Sequence, residues 1–306
     1  FSRRKELYGS GHEGARFYLF DVAALKLVSL LKFKADIIHC HDWQTGLVPH
    51  LKKTRFKKSR TLANAATVFT IHNLVFQLGT NWWEIPPKNK DRGKKVLPLF
   101  NSPDIEYINF AKRGILNADV ISTVSETYAE EILKKSFGQD LHRVLINRKH
   151  KLFGVVNGID YKELNPKNDS TIYRKYDHKK LQRKKLNKKY IQKLFKLRID
   201  QDVPVLCTTS RVTYQKGFEL ILEIINRLMH FDIQLIIAGA GDKNFISKLK
   251  KVAKKFPDKL AVIPSHDKLL KYENQLYAGS DMILLPSHHE PCGINQMKAF
   301  RYGCVP

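Results

Sequence analysis

Two stretches carry residue types suited to an anionic leaving group and a developing positive charge. In Leu285-Pro286-Ser287-His288-His289-Glu290-Pro291-Cys292-Gly293-Ile294-Asn295-Gln296 an apolar run ends abruptly in a polar turn. The turn holds one carboxylate, one thiol and one glycine, and a helical pattern resumes at Met297. Backbone N–H groups at such a helix start can hold hydroxyls or phosphate, and a glutamate beside them can answer positive charge. In Ser210-Arg211-Val212-Thr213-Tyr214-Gln215-Lys216-Gly217, two cations five residues apart follow a strand pattern and precede a helical one. The arginine would act as a fork and the lysine as a point charge, and both can converge on one phosphoryl group. The glycines and the Lys-Ser/Thr pair of a Walker loop are absent. Taken singly, each stretch reads equally well as an ordinary strand–loop–helix connection or as two solvated cations.

Three further polar clusters fall at expected strand ends: Asp42, His72-Asn73 and Asn157. A sugar site needs many directional hydrogen-bond partners and a carboxylate for the charge that develops on the ring. Asp42, His72, Asn157 and Glu290 together suit one, although His72 alone reads by default as a structural, hydrogen-bonded histidine. Glu290 has no second carboxylate of the hydrolase type beside it. His39-Cys40-His41-Asp42 lies on a strand end, where neighbours point to opposite sides, so the four do not share one ion. His288-His289-Glu290 does not match a zinc spacing. No metal and no cofactor are expected.

The elements that must position these residues alternate in type. Strands are expected at 35–40, 66–71, 120–124, 152–156, 203–210, 234–238, 260–263 and 281–285, with helices between them, including 14–34, 110–117, 217–229, 244–255 and 268–279. Such alternation predicts parallel sheets of the doubly wound kind, whose ligands lie at the carboxyl ends of the strands. With 306 residues the chain suits two α/β domains. Asn165-Pro166-Lys167-Asn168-Asp169 reads as the hinge, dividing the chain into 1–165 and 166–306. Residues 80–104, rich in Pro, Asn, Lys and Trp, read as an irregular insertion. Gly239-Ala240-Gly241-Asp242 resembles a dinucleotide turn without its third glycine.

Composition narrows the class. Hydrophobic residues make up 43%, as in globular proteins, and no apolar run approaches the roughly 18 residues of a membrane span. Four cysteines without paired spacing point to a reduced, cytoplasmic protein, with Cys207 a core thiol. The 54 basic residues against 29 acidic ones favour anionic partners. The densest basic patch, 173–198, reads as an amphipathic helix with a solvated face over a stripe of Leu186, Tyr190, Leu194 and Leu197. It lacks the interleaved aromatics of a single-strand binder, so nucleic acid is not an expected partner. The opening Phe1-Ser2-Arg3-Arg4-Lys5 has neither an initiator Met nor an apolar signal, and the chain stops where a strand begins, so a fragment is expected at both ends.

Several segments, in order, resemble bacterial glycogen synthases and plant starch synthases. They are His41-Asp42-Trp43-Gln44-Thr45-Gly46-Leu47, Thr70-Ile71-His72-Asn73-Leu74, Ile108-Asn109-Phe110-Ala111-Lys112, Val124-Ser125-Glu126-Thr127-Tyr128-Ala129, Gly154-Val155-Val156-Asn157-Gly158-Ile159-Asp160, the 210–217 stretch, and Pro286 to Gly293. The resemblance implies a GT-B fold, two Rossmann-like domains facing a cleft, both incomplete here. It implies metal-free transfer of glucose from ADP-glucose to the nonreducing end of an α-1,4-glucan such as glycogen, with retention of configuration. On these positions Arg211 and Lys216 would hold the donor's diphosphate. Glu290 would face the sugar in its charged transition state, and His72 would hold the donor glucose. Asp42 and Asn157 would line the sugar site, Cys292 would pack beside the donor, and Gly293 would let backbone amides approach hydroxyls.

Departures from the family pattern qualify this. Its Lys-x-Gly-Gly-Leu loop and its later glycine-rich loop are not in the chain, so these residues alone are expected to be inactive. Pro264-Ser265-His266-Asp267 stands where the family has a tyrosine near the donor's base, and Gly138 to Arg143 lacks part of its glycine pattern. The competing readings are another GT-B glycosyltransferase with a different donor or acceptor, and a noncatalytic basic protein that binds glucan or polyanions. No membrane partner is expected, and the oligomeric state is open.

Overall fold

Apolar runs rich in Val, Ile and Leu, bounded by Gly, Asn and Asp, form parallel strands, and the longer periodic segments between them form helices. The computed structural model describes Tyr8 and residues 11–306, so the opening Phe1 to Lys5 lies outside the described residues. In chain order the elements are α1 (Glu13–Leu30), β1 (Ile37–His41), α2 (Val48–Lys53), β2 (Ala66–Ile71), α3 (Phe110–Asn117), β3 (Val120–Thr123), α4 (Glu126–Glu131), α5 (His142–Ile146) and β4 (Leu152–Gly154). They continue as α6 (Lys184–Leu194), β5 (Val205–Thr209), α7 (Phe218–Leu228), β6 (Gln234–Ala238), α8 (Lys243–Lys255), β7 (Leu260–Ile263), α9 (His266–Gly279), β8 (Met282–Ile283) and α10 (Ile294–Arg301). Among the described residues no helix is long and apolar enough to cross a membrane.

The chain divides into two units, Phe1–Asn157 and Gly158–Pro306. The boundary therefore falls at 157/158, not at 165/166. The reason is a long-range contact: Leu164 packs against the second unit's core, and Arg301 Nε donates to its carbonyl at 2.9 Å. The segment read as a hinge is also anchored, since Asp169 accepts from the Tyr302 hydroxyl at 2.5 Å and from Asn274 Nδ2 at 3.0 Å.

The first unit holds a parallel sheet in the order β1-β2-β3-β4. Ser125 caps α4 by accepting from Tyr128 N, as its position before the helix predicts. The insertion at 80–104 is irregular apart from a short 3-10 turn at Trp82–Glu84 and the start of another at Pro103–Tyr107. It is nevertheless pinned. Arg113 of α3 is fully buried, and its Nε and Nη2 each donate to Asp91 at 2.8 Å. Its Nη1 donates to the Lys95 carbonyl at 2.8 Å, and Lys112 Nζ donates to the Asp91 carbonyl at 2.7 Å.

The second unit holds a parallel sheet in the order β7-β6-β5-β8. Strands β5 and β6 are buried at every position, as strands with both faces covered must be. Val205, Cys207 and Ile236 pack with Ile191, Leu276 and Tyr302 on one face, while Leu206, Leu235 and Ile237 pack with Phe218, Ile225 and Leu249 on the other. Cys207 is a buried core thiol, as expected.

The basic helix differs from its expectation. Continuous helix over 173–198 is replaced by a 3-10 segment, His178–Arg183, with Lys180 off helical geometry, followed by α6 alone. The buried face is Asn187, Lys188, Ile191 and Gln192, whereas Leu186 is exposed. Lys184 Nζ donates to the carbonyls of Tyr277, Ala278 and Tyr302 at 2.8, 3.0 and 3.2 Å. It thereby satisfies carbonyls at the end of α9, from Tyr277 and Ala278, and at the end of α10, from Tyr302, and burial pushes its pKa down to about 8. Lys188 pairs with Asp281 at 2.8 Å. These lysines are structural.

Removing one partner of a buried pair strands the other charge, at a cost of about 3–5 kcal/mol. Asp91→Ala is expected to destabilise the protein by about that amount in urea unfolding; an unchanged midpoint would show that Asp91 does not anchor the insertion.

Candidate functional site

The order β7-β6-β5-β8 places a topological switch point between β5 and β8. From β5 the chain moves outward to β6 and β7, then returns to the other side of β5. Loops leaving adjacent strands at such a point diverge and make the crevice where open α/β sheets bind ligands. The loops leaving β5 and β8 are the 210–217 and 286–293 stretches singled out in the sequence.

Their geometry starts from backbone approach. A β-carbon at Gly217 would lie 1.9 Å from the Pro286 carbonyl oxygen, and Gly217 has φ 70°, so only glycine fits. On the other side, a β-carbon at Gly239 would lie 1.9 Å from the Ser210 carbonyl oxygen. This explains Gly239-Ala240-Gly241-Asp242. Val212 N donates to Ala240 O at 2.9 Å, and Asp242 N donates to Val212 O at 2.8 Å. The turn directs the 210–217 loop, and Asp242 caps α8 through Asn244 N and Phe245 N.

Lys216 and Glu290 meet in this setting: Lys216 Nζ donates to Glu290 Oε2 at 2.6 Å, and Ser287 Oγ donates to the same oxygen at 3.3 Å. The cation proposed for phosphate and the carboxylate proposed for the sugar thus form one pair. Lys216 is half-buried and Glu290 more open, so water screens the pair, and its worth is about 0–1 kcal/mol. Arg211, on the same loop, is exposed. Cys292 is half-buried, and Gly293, with φ 75°, immediately precedes α10. Asn295 Nδ2 of α10 donates to the Thr209 carbonyl at 2.7 Å, tying this helix start to the end of β5.

The first unit gathers a second polar cluster at the ends of β1 and β2. Asp42 Oδ1 accepts from His72 N at 2.7 Å and from Asn73 N at 3.4 Å. Burial raises the Asp42 pKa above the ordinary carboxylate value, against the lowering by the His72 amide. Asp42 itself has φ 54° and ψ −173°, an extended positive-φ conformation almost confined to glycine, seen at strained functional turns. Its carboxylate splices the two strand ends and fixes the backbone at His72. His41 Nδ1 and His72 Nε2 are 3.0 Å apart. Burial first, then the nearby His39 and His72, lower the His41 pKa, which favours its neutral form. His39 Nε2 reaches Thr70 Oγ1 at 2.7 Å, while Cys40 is buried on the opposite face. That alternation is why the His39–Asp42 run does not converge. Among the described residues no group of three or more His, Cys, Asp or Glu has metal-holding geometry. Asn157 follows β4, two strands along from β2, and no hydrogen bond among the described residues ties it to His72 or Asp42.

Three participants were not legible beforehand. Tyr214, His288 and Glu219 form a contact chain beside the Lys216–Glu290 pair. His288 and Glu219 lie 69 residues apart in sequence, and no local pattern joins them.

Residues 1–147 match the family model described as the starch synthase catalytic domain, and residues 190–306 match that of glycosyl transferases group 1. A glycogen synthase from Pseudothermotoga lettingae is 43% identical over 290 residues, covering 94% of this chain and 58% of the relative. One from Clostridium perfringens is 41% identical over 309 residues, covering all of this chain and 63% of the relative. The chain therefore spans about three fifths of the length of these relatives. Among solved structures, the catalytic domain of starch synthase IV from Arabidopsis thaliana, bound to ADP and acarbose, matches with a TM-score of 0.84 and 30% identity, covering 99% of this chain and 62% of that one. A sucrose-phosphate synthase from Thermosynechococcus elongatus, 16% identical with a TM-score of 0.57, shares the fold alone. The architecture is that of the GT-B glycosyltransferases, as expected.

Gly217→Ala forces a left-handed alanine, costing about 1–2 kcal/mol before any clash with Pro286 is counted. A loss of at least that size is expected in urea unfolding; wild-type stability would show that the two loops do not need their close approach.

Proposed function

Because the chain belongs to the glycogen and starch synthase family, we propose that it supplies donor-handling and sugar-handling residues of an α-glucan synthase. The substrates on this reading are ADP-glucose and a glycogen-like α-1,4-glucan. The starch synthase IV likeness supports both, since that protein was solved with ADP and acarbose. The observation that carries the reading is the 2.6 Å pair of Lys216 and Glu290 at the β5/β8 switch point.

The chemistry follows from that pair. In glucosyl transfer the C1–oxygen bond to the donor's diphosphate breaks, and ADP leaves with the electron pair. The acceptor's 4-hydroxyl oxygen forms the new bond to C1 on the same face, and its proton passes to the departing phosphate. Positive charge grows on the sugar as negative charge grows on ADP. Lys216, with Arg211 from the same loop, answers the phosphates, and Glu290 answers the ring; such preset charges stabilise the transition state without reorganisation. An accessible ion pair worth about 0–1 kcal/mol is displaced at little cost, so a diphosphate carrying more than one charge can take Lys216 over. Cys292 and Gly293 then flank the donor at the start of α10. In the first unit, His72 serves the glucose, with Asp42 setting its backbone and Asn157 adding a further sugar contact. No metal or cofactor is needed on this reading.

The reading of a noncatalytic basic polyanion binder rests on the cations of 174–198, of which Lys184 and Lys188 are engaged inside the second unit while the others are exposed.

Glu290→Gln keeps the shape, removes the charge facing the sugar and releases Lys216. In the full-length protein, transfer of labelled glucose from ADP-glucose to glycogen is expected to fall by about 100-fold or more, while ADP binds as tightly as in the wild type or more tightly by calorimetry. Undiminished transfer would end the assignment of Glu290. Use of UDP-glucose with ADP-glucose ignored would end that of the donor.

A further inference from the structure

The two site loops are joined by a contact that the proposed reaction does not use. The His288 ring stacks on Tyr214, with centroids 4.8 Å apart and planes 20° from parallel. Its Nε2 meets Oε1 of Glu219, in the first turn of α7. The His288 amide donates to the Gln215 carbonyl at 3.1 Å, and Gln215 Nε2 donates back to the His289 carbonyl at 3.5 Å. One residue therefore meets a ring, a carboxylate and a backbone carbonyl, all from the segment 214–219. Glu290 lies two residues further along the same loop. Burial disfavours the ionised Glu219 carboxyl, yet the hydrogen bond and charge of His288, together with a backbone hydrogen bond, outweigh it and hold the pKa below its ordinary value. The pair is therefore formed with Glu219 charged.

We propose that His288 is a positioning residue for Glu290. Clamped between the Tyr214 ring and the Glu219 carboxylate, it fixes the 286–293 loop so that Glu290 stands on Lys216. The geometry of the clamp does not depend on the glucosyl-transfer reading; its consequence for the reaction does. Glu290 is on an open loop, and its carboxylate reaches Lys216 only while the backbone from 288 to 290 keeps its place. Held so, the carboxylate meets the sugar without an ordering cost at each turnover. The titratable and charged groups around the clamp are Glu219 of α7, Tyr214 and Lys216 of the β5 loop, and His289 and Glu290 of its own loop.

Two variants test this. His288→Leu removes the flat ring and the hydrogen bond to Glu219. His288→Arg presents a flat cation that can both stack on Tyr214 and pair with Glu219. In the full-length protein, H288L is expected to speed amide exchange across 286–293 by about tenfold and to lower kcat by about tenfold with KM for the glucan unchanged. H288R is expected to restore both. Wild-type exchange in H288L, or an H288R no better than H288L, would overturn the clamp. If the full-length wild-type protein transfers no glucose, the glucosyl-transfer reading falls, and exchange alone decides: faster in H288L and restored in H288R supports the clamp, unchanged in H288L overturns it.

Discussion

At Gly217 a single missing methyl group sets the architecture of the second unit's site. A side chain there would occupy the space of the Pro286 carbonyl. The close approach brings the loop after β5 against the loop after β8. Only then can Lys216 reach Glu290 and Tyr214 lie on His288. Behind it, Gly239 permits the same intimacy between the β6 loop and Ser210. A lysine and a glutamate are common residues; what brings these two together is that backbones touch where side chains ordinarily keep them apart.

The frame under that contact is rigid because it is dry and double-faced. Strands β5 and β6 expose no residue, and their alternating side chains feed two separate apolar layers. Polar groups that enter this interior are answered. Lys184 ends α9 by meeting its carbonyls, and Gln192 bridges the Asp200 carbonyl and Gln234. In the first unit Arg113 plays the comparable part, holding a long irregular insertion through Asp91 and the Lys95 carbonyl. A buried guanidinium carries several fixed donors, which suits it to fastening a segment that has no sheet or helix of its own.

Much of this was legible in the residues. Strands β2, β5, β6 and β7 stood out because runs rich in Val, Ile, Leu and Thr end in turn residues, and Ser125 announced α4 by its capping position. The site loops stood out because their charges follow strands. Three things were hidden, each for a physical reason. The 157/158 boundary depends on Leu164 and Arg301, a contact across the fold. The basic stretch 173–198 was read by counting charges, but Asn187, Lys188 and Gln192 are buried through hydrogen bonds to distant carbonyls and side chains that no helical periodicity encodes. The His288–Glu219 contact joins residues from two different crossovers, and local spacing carries no trace of it.

If the two loops act as one charge-handling unit, a donor diphosphate must touch both. Hydrogen exchange of the protein with and without ADP measures this directly. The account predicts slowed exchange in both 210–217 and 286–293. Protection confined to other segments, or to one loop alone, would contradict it.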